Sequence, residues 1–211
     1  MDKKKLASEI LKRLNKVYKG TPQTLLQFST PFELLVATIM SAQTTDVQVN
    51  RVTADLFKKY RSIRDFADTA PEQLAKDISS VNFFNNKAKS ITKTARMVIE
   101  EFNGEVPRTM EELVKLPGVA RKTANIVLSS VFGVNEGIAV DTHVKRLAFR
   151  LGLTKHDDPV KIEQDLMPVL PRKHWGNFSH LLVFHGRHIC QARNPRHADC
   201  VLYDICPSKR L

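Results

Sequence analysis

Helix-start punctuation constrains this chain more than any other feature. Thr30-Pro31-Phe32-Glu33, Thr69-Ala70-Pro71-Glu72 and Thr109-Met110-Glu111-Glu112 each place a Thr three residues before a Glu. At that spacing the hydroxyl caps a first-turn amide of a helix and the carboxylate reaches back to the cap. Pro31 and Pro71 sit in the first turn, where a missing N–H costs least. Phe32 to Met40 is apolar nearly all round, which predicts a buried central helix. From Ala88, apolar residues recur at Ile91, Ala95, Val98 and Phe102, one face of a long helix. Residues 124–132 and 175–189 form two more apolar helical segments, and no segment alternates like a strand. The expectation is an all-α protein of roughly ten short helices joined by short loops. No linker, low-complexity stretch or repeat divides it.

Charge narrows the partner. Among 211 residues, 33 Lys and Arg face 22 Asp and Glu, a net charge of +11. That balance favours a polyanion such as nucleic acid, although a basic surface alone is equally at home on a merely soluble protein. The N-terminus has no apolar signal core, and no apolar run reaches the ~20 residues that span a bilayer. A cytoplasmic protein without a membrane partner is expected. Its three cysteines all follow position 189 and cannot pair fully. Clustered thiols in a reducing compartment point to metal.

Residues 109–132 hold a short helix, the turn Leu116-Pro117-Gly118-Val119-Ala120, and then Arg121-Lys122-Thr123-Ala124-Asn125 opening an apolar helix. Pro117 fixes one φ and Gly118 supplies the positive φ of a type II turn. The unpaired amides of the following helix start suit a phosphate oxygen, with no bulky side chain at the tip to keep a duplex away. A Pro-Gly corner alone is common and structural. Joined to Arg121-Lys122 and the excess positive charge, it favours DNA.

Leu116 to Asn125 resembles the helix-hairpin-helix signature of the endonuclease III family. Val140-Asp141-Thr142-His143 resembles the family's catalytic Asp segment, and Ser41-Ala-Gln-Thr-Thr-Asp46 and the Cys-rich C-terminus resemble further family motifs. The similarity spans essentially the whole chain, with Ala120 where the family usually has Gly. It implies a two-lobed helix-hairpin-helix DNA glycosylase fold with a C-terminal iron–sulfur cluster loop. One lobe would be residues 25–133; the other would join 1–24 to 134–211 and carry the loop 190–206. A monomer acting on nucleoid DNA is expected, its substrate double-stranded DNA with a damaged base or an abasic site.

The resemblance implies that Lys122 is a Schiff-base nucleophile and Asp141 its partner carboxylate. In isolation, a solvated lysine and a helix-capping Asp are the plainer readings. Breaking an N-glycosidic bond builds positive charge on the sugar, which a carboxylate stabilises. An amine attacking the anomeric carbon leaves an imine that permits β-elimination of the 3′ phosphate. Relatives that only remove a base keep the Asp and lack the Lys, so Lys122 argues for a lyase as well. The lesions implied are oxidised or ring-saturated pyrimidines.

Similarity also assigns Gln43 to fill the gap left by a flipped nucleotide and Phe83 to wedge into the stack. Core packing is the alternative for Phe83 and its neighbour Phe84, at least one of which is expected to be core. The family commonly has Gly where this chain has Asn82. DNA contacts are expected from Pro117, Gly118, Val119, Ala120 and Arg121 of the hairpin, and from Arg193 and Arg196.

The C-terminal pattern is Cys190-x6-His197-x2-Cys200-x5-Cys206, whereas the family has four Cys at this spacing around a [4Fe–4S] cluster. Imidazole replaces thiolate in some iron–sulfur centres, so a [4Fe–4S] cluster with Cys3His ligation is expected. Structural zinc also takes Cys3His, and an incomplete cluster is a third possibility. His185 and His188 are assigned no metal role. Two other functions compete: a thymine or uracil mismatch glycosylase on the same scaffold, and a non-catalytic helix-hairpin-helix DNA-binding protein. The presence of both Lys122 and Asp141 argues against the second.

Overall fold

The computed structural model describes residues 2–209, and among these there are eleven α-helices, a few short 3-10 turns and no strand. The helices are α1 (Lys3–Val17), α2 (Pro31–Ser41), α3 (Asp46–Lys59), α4 (Ile63–Asp68), α5 (Pro71–Asp77), α6 (Phe84–Glu101), α7 (Met110–Leu113), α8 (Arg121–Phe132), α9 (Thr142–Arg150), α10 (Pro159–Leu166) and α11 (Trp175–His188). None is long and apolar enough to cross a membrane. The chain divides into two compact units: residues 24–134, and those up to Gln23 together with those from Asn135 onward.

The uninterrupted unit is built around α2. Leu34, Leu35, Val36, Ala37 and Met40 are all buried, as the all-round apolar sequence requires. Helix α6 lays Ala88, Ile91, Ala95 and Val98 against the same core. An aromatic cluster closes one end, with Phe66 stacked on Tyr60 at 4.9 Å and edge-on to Phe32 at 5.5 Å. Truncating so buried an aromatic costs about 3–5 kcal/mol. In the discontinuous unit, Leu6, Ile10 and Leu14 of α1 share a core with Val144 and Leu147 of α9, Ile162 and Leu166 of α10, and Phe178 and Leu182 of α11.

Two of the three expected helix starts form the hydroxyl half of the expected motif, without the carboxylate returning to the cap amide. The Thr30 and Thr109 hydroxyls accept from the Glu33 and Glu112 amides. The third does not. Thr69 terminates α4 in extended backbone, and α5 begins at Pro71 with Ala70 as its N-cap and no side-chain cap. Pro71 explains the shift: at the first helical position it holds the residue before it extended, so Ala70 becomes the cap. A reciprocal capping box instead joins Ser62 and Asp65 at the start of α4.

Candidate nucleic-acid interface and metal centre

The hairpin is a turn from Leu116 to Val119, closed by the Val119 amide donating to the Leu116 carbonyl at 3.1 Å. Gly118 has φ +80. A Cβ there would stand 2.9 Å from Ser90 Cβ and 3.5 Å from Ile39, so glycine is demanded by packing as well as by backbone. Thr94 of α6 donates to the Pro117 carbonyl at 2.9 Å, fixing the turn from below. Ala120 caps α8 at φ −89, ψ 168, ordinary extended backbone, so its methyl adds no strain. Arg121 and Lys122 are exposed in the first turn, where the leading amides have no carbonyl of the helix to bond.

Asp141 is the N-cap of α9. Its Oδ1 accepts from the His143 and Val144 amides, both at 2.8 Å. Its capping role is therefore real, and it leaves both bonds on one oxygen. His143 follows on the first turn; burial pushes its imidazole below the usual range, while the Asp141 charge acts the other way.

Gln43 and Phe83 sit on adjoining loops of the uninterrupted unit. Both have positive φ, 56 and 57, a left-handed backbone that costs a non-glycine residue about 1 kcal/mol. Phe83 is 61% exposed, too open to be core, whereas Phe84 packs into the interior. Asn82, where the family commonly has Gly, ties the loops together: its amide N–H donates to Thr44 Oγ1 at 3.2 Å and its side chain to the Gln43 carbonyl.

Cys190, His197, Cys200 and Cys206 line one pocket with Ile189, Pro195, Tyr203 and Arg150. His197 begins a 3-10 turn, its ring 5.7 Å from that of Tyr203. Among the described residues, no three His, Cys, Asp or Glu side chains are gathered tightly enough for a single ion. Donors are trained on the sulfurs. Arg150 donates to Cys190 Sγ at 3.3 Å, and the Leu202 and Ser208 amides bond Cys200 and Cys206. Burial pushes both of those thiols up, with the amides pulling back. Such a set fits an anionic sulfur-ligated group, whose metal drives the thiols to thiolates and whose charge the donors stabilise.

Sequence reasoning passed over two arginines here and gave His185 no part in the metal segment. Arg146 and Arg150, four apart on one face of α9, hold the cluster segment: Arg146 bonds the Gly186 and Cys190 carbonyls, Arg150 those of Gln191 and Ala192. His185 lies 3.4 Å from Cys200 Sγ through Nε2 and 3.1 Å from the Tyr18 hydroxyl through Nδ1. The i, i+4 arginine pair was visible; the histidine contact needed the loop's path. Of the two loop cations, Arg196 pairs with Asp199 at 2.6 Å, and Arg193 is exposed.

Residues 36–172 match the HhH-GPD superfamily of base excision DNA repair proteins, and residues 190–206 match the iron–sulfur binding domain of endonuclease III. Endonuclease III of Synechocystis is 52% identical over 98% of this chain and 94% of its own length. The chain belongs to the endonuclease III family. It is a base excision repair enzyme, a DNA glycosylase with abasic-site lyase activity, and its last segment is an iron–sulfur binding domain. Endonuclease III of Bacillus subtilis is 50% identical over 86% of this chain and 83% of its own. A trapped endonuclease III–DNA covalent intermediate superposes with a TM-score of 0.92 at 42% identity, covering 99% of this chain and 98% of that one. A thermostable thymine-DNA glycosylase superposes at 0.84 with 25% identity, over 98% and 96%.

Proposed function

We propose that this enzyme removes oxidised or ring-saturated pyrimidines from duplex DNA and cleaves the resulting abasic site by β-elimination, with Lys122 as nucleophile and Asp141 as carboxylate. One observation carries the assignment: Lys122 is an exposed amine on the first turn of α8, directly after the Pro117-Gly118 hairpin. Its Nζ adds to the anomeric carbon as the N-glycosidic bond breaks and the base departs. Ring opening gives the protonated imine, and loss of a C2′ proton expels the 3′ phosphate. Asp141 stabilises the positive charge that builds on the sugar. A relative captured in a covalent complex with DNA supports an enzyme-bound intermediate of this kind.

Gln43 and Phe83 fill the space vacated by the flipped nucleotide, and the hairpin from Pro117 to Arg121, with Arg193 and Arg196, holds phosphates. Cys190, His197, Cys200 and Cys206 would ligate a [4Fe–4S] cluster, which serves to brace the DNA-contacting loop. Three thiols and an imidazole lining one pocket, in a segment that matches an iron–sulfur binding domain, favour a polynuclear group over zinc. The enzyme works as a monomer on the nucleoid. The thymine-DNA glycosylase likeness makes mismatched thymine the second substrate to test.

Borohydride reduction on duplexes carrying thymine glycol, an abasic site or a G·T mismatch is the deciding experiment. The first two should give a stable protein–DNA adduct with wild type and none with Lys122→Ala. Equal adduct from the variant overturns the nucleophile; capture on the mismatch alone overturns the substrate class.

A further inference from the structure

Lys87 is the oddest residue in the α6 core face. It is a lysine at 6% exposure, with all three ammonium donors satisfied by one short stretch of chain. Nζ donates to the Met40 carbonyl at 2.7 Å, to the Ala42 carbonyl at 2.7 Å and to Thr44 Oγ1 at 3.0 Å. An ammonium has three donors, so nothing is left over. The two carbonyls are at the C-terminal end of α2, where a cation is favoured. Thr44 Oγ1 also accepts from the Asn82 amide, and the Asn82 side chain holds the Gln43 carbonyl. One continuous network therefore runs from Lys87 through Thr44 and Asn82 to Gln43 and the residue before Phe83.

We propose that Lys87 is a positioning residue for lesion recognition, clamping the Gln43 and Phe83 loops into one preorganised prong that enters the duplex as a unit. This rests on the reading that Gln43 and Phe83 fill the gap. Both prong residues are held in left-handed backbone that neither would choose alone, and a loop free to relax would lose that pose. Flipping a nucleotide costs a few kcal/mol, so ordering the filler beforehand removes a second charge against binding. Burial also presses the Lys87 ammonium toward neutrality, and the convergent acceptors oppose this.

The test measures preference, the ratio of affinity for a duplex with an uncleavable tetrahydrofuran abasic analogue to affinity for the same duplex intact. It compares wild type, Lys87→Met, Gln43→Ala/Phe83→Ala, and the triple variant. Lys87→Met should cut the preference at least tenfold, keep intact-duplex affinity within twofold, and add nothing in the triple variant, because its effect passes through the prong. Hydrogen exchange at the Thr44 and Asn82 amides should quicken at least tenfold in the free Lys87→Met protein. Full preference in Lys87→Met, equal losses in both backgrounds, or unchanged exchange overturns the clamp. Full preference in Gln43→Ala/Phe83→Ala overturns the gap-filling reading and the proposal with it, and the variant that fails tells the two apart. Should Lys87→Met not fold, Thr44→Val breaks the same network by removing the oxygen that Lys87 and the Asn82 amide share, with the same expectation and the same overturning result.

Discussion

Both capping amides of α9 fall on Oδ1 of Asp141, so the carboxylate's charge and its capping bonds can be removed separately. Asparagine caps about as well as aspartate, whereas alanine forfeits about 1 kcal/mol. Asp141→Asn should therefore melt like wild type and slow base release by at least about 100-fold, as losing a charge aimed at the transition state does. Asp141→Ala should be equally slow and also less stable. Single-turnover base release together with thermal melting separates these outcomes; an Asp141→Asn enzyme as fast as wild type would leave only the cap. Lys87 shows what residue-level reading misses. A lysine in a helix is normally solvated, and its burial here depends on carbonyls more than forty positions earlier in the chain.

The hairpin was legible because its chemistry is local: Pro117 and Gly118 dictate the turn without help from elsewhere. The Thr69 start was misread because the same spacing motif competes with a proline that moves the cap by one residue. Gly118 leads to a sharp expectation at this scale. Its φ of +80 and the 2.9 Å approach of Ser90 both oppose a methyl, so Gly118→Ala should destabilise the protein by about 1–3 kcal/mol. Adding Ser90→Gly should relieve the contact but not the backbone, restoring only part of the loss in denaturant unfolding. Helix α11 leads to another. Burial, helped by the nearby Arg187 charge, pulls His180 down to about 4. A folded-state value below the unfolded one means that the unfolded chain binds more protons. Stability is therefore fully present above about pH 6.5 and is lost as pH falls toward 4, by about 1.4 kcal/mol per unit. Unfolding free energies measured from pH 7 to 4.5 should fall more steeply than this, because burial pulls His185 of the same helix down to about 4 as well. The slope should be reduced by about one proton in His180→Gln; an identical slope in the variant would refute the assignment.

At the scale of the whole molecule, the overall helical class and family were readable from pattern and motif. The holding of the metal segment was not, because Arg146, Arg150 and His185 reach it across the unit and not along the chain. Replacing a neutral imidazole ligand by a thiolate adds a negative charge, which disfavours reduction. His197→Cys should accordingly keep its iron and lower the reduction potential of protein purified without oxygen. Stoichiometric zinc in wild type would exclude the cluster, and equal potentials in the two proteins would exclude His197 as a ligand.

The split pairing of chain ends has a consequence for how the enzyme is made. Arg13 on α1 bonds the Val201 carbonyl and Asp204, partners that lie 188 and 191 residues later. At ribosomal speeds of ~5–20 residues per second, those partners emerge roughly 10–40 s after α1 does. Residues 24–134 can complete their core as soon as they leave the exit tunnel, since they are one uninterrupted run. Helix α1 precedes residues 24–134 in synthesis but is buried only when residues beyond 134 arrive, so Leu6, Ile10 and Leu14 spend that interval without their core partners. A chaperone that binds apolar helix faces on nascent chains would find its site there, on the face of α1 that waits longest for its partners.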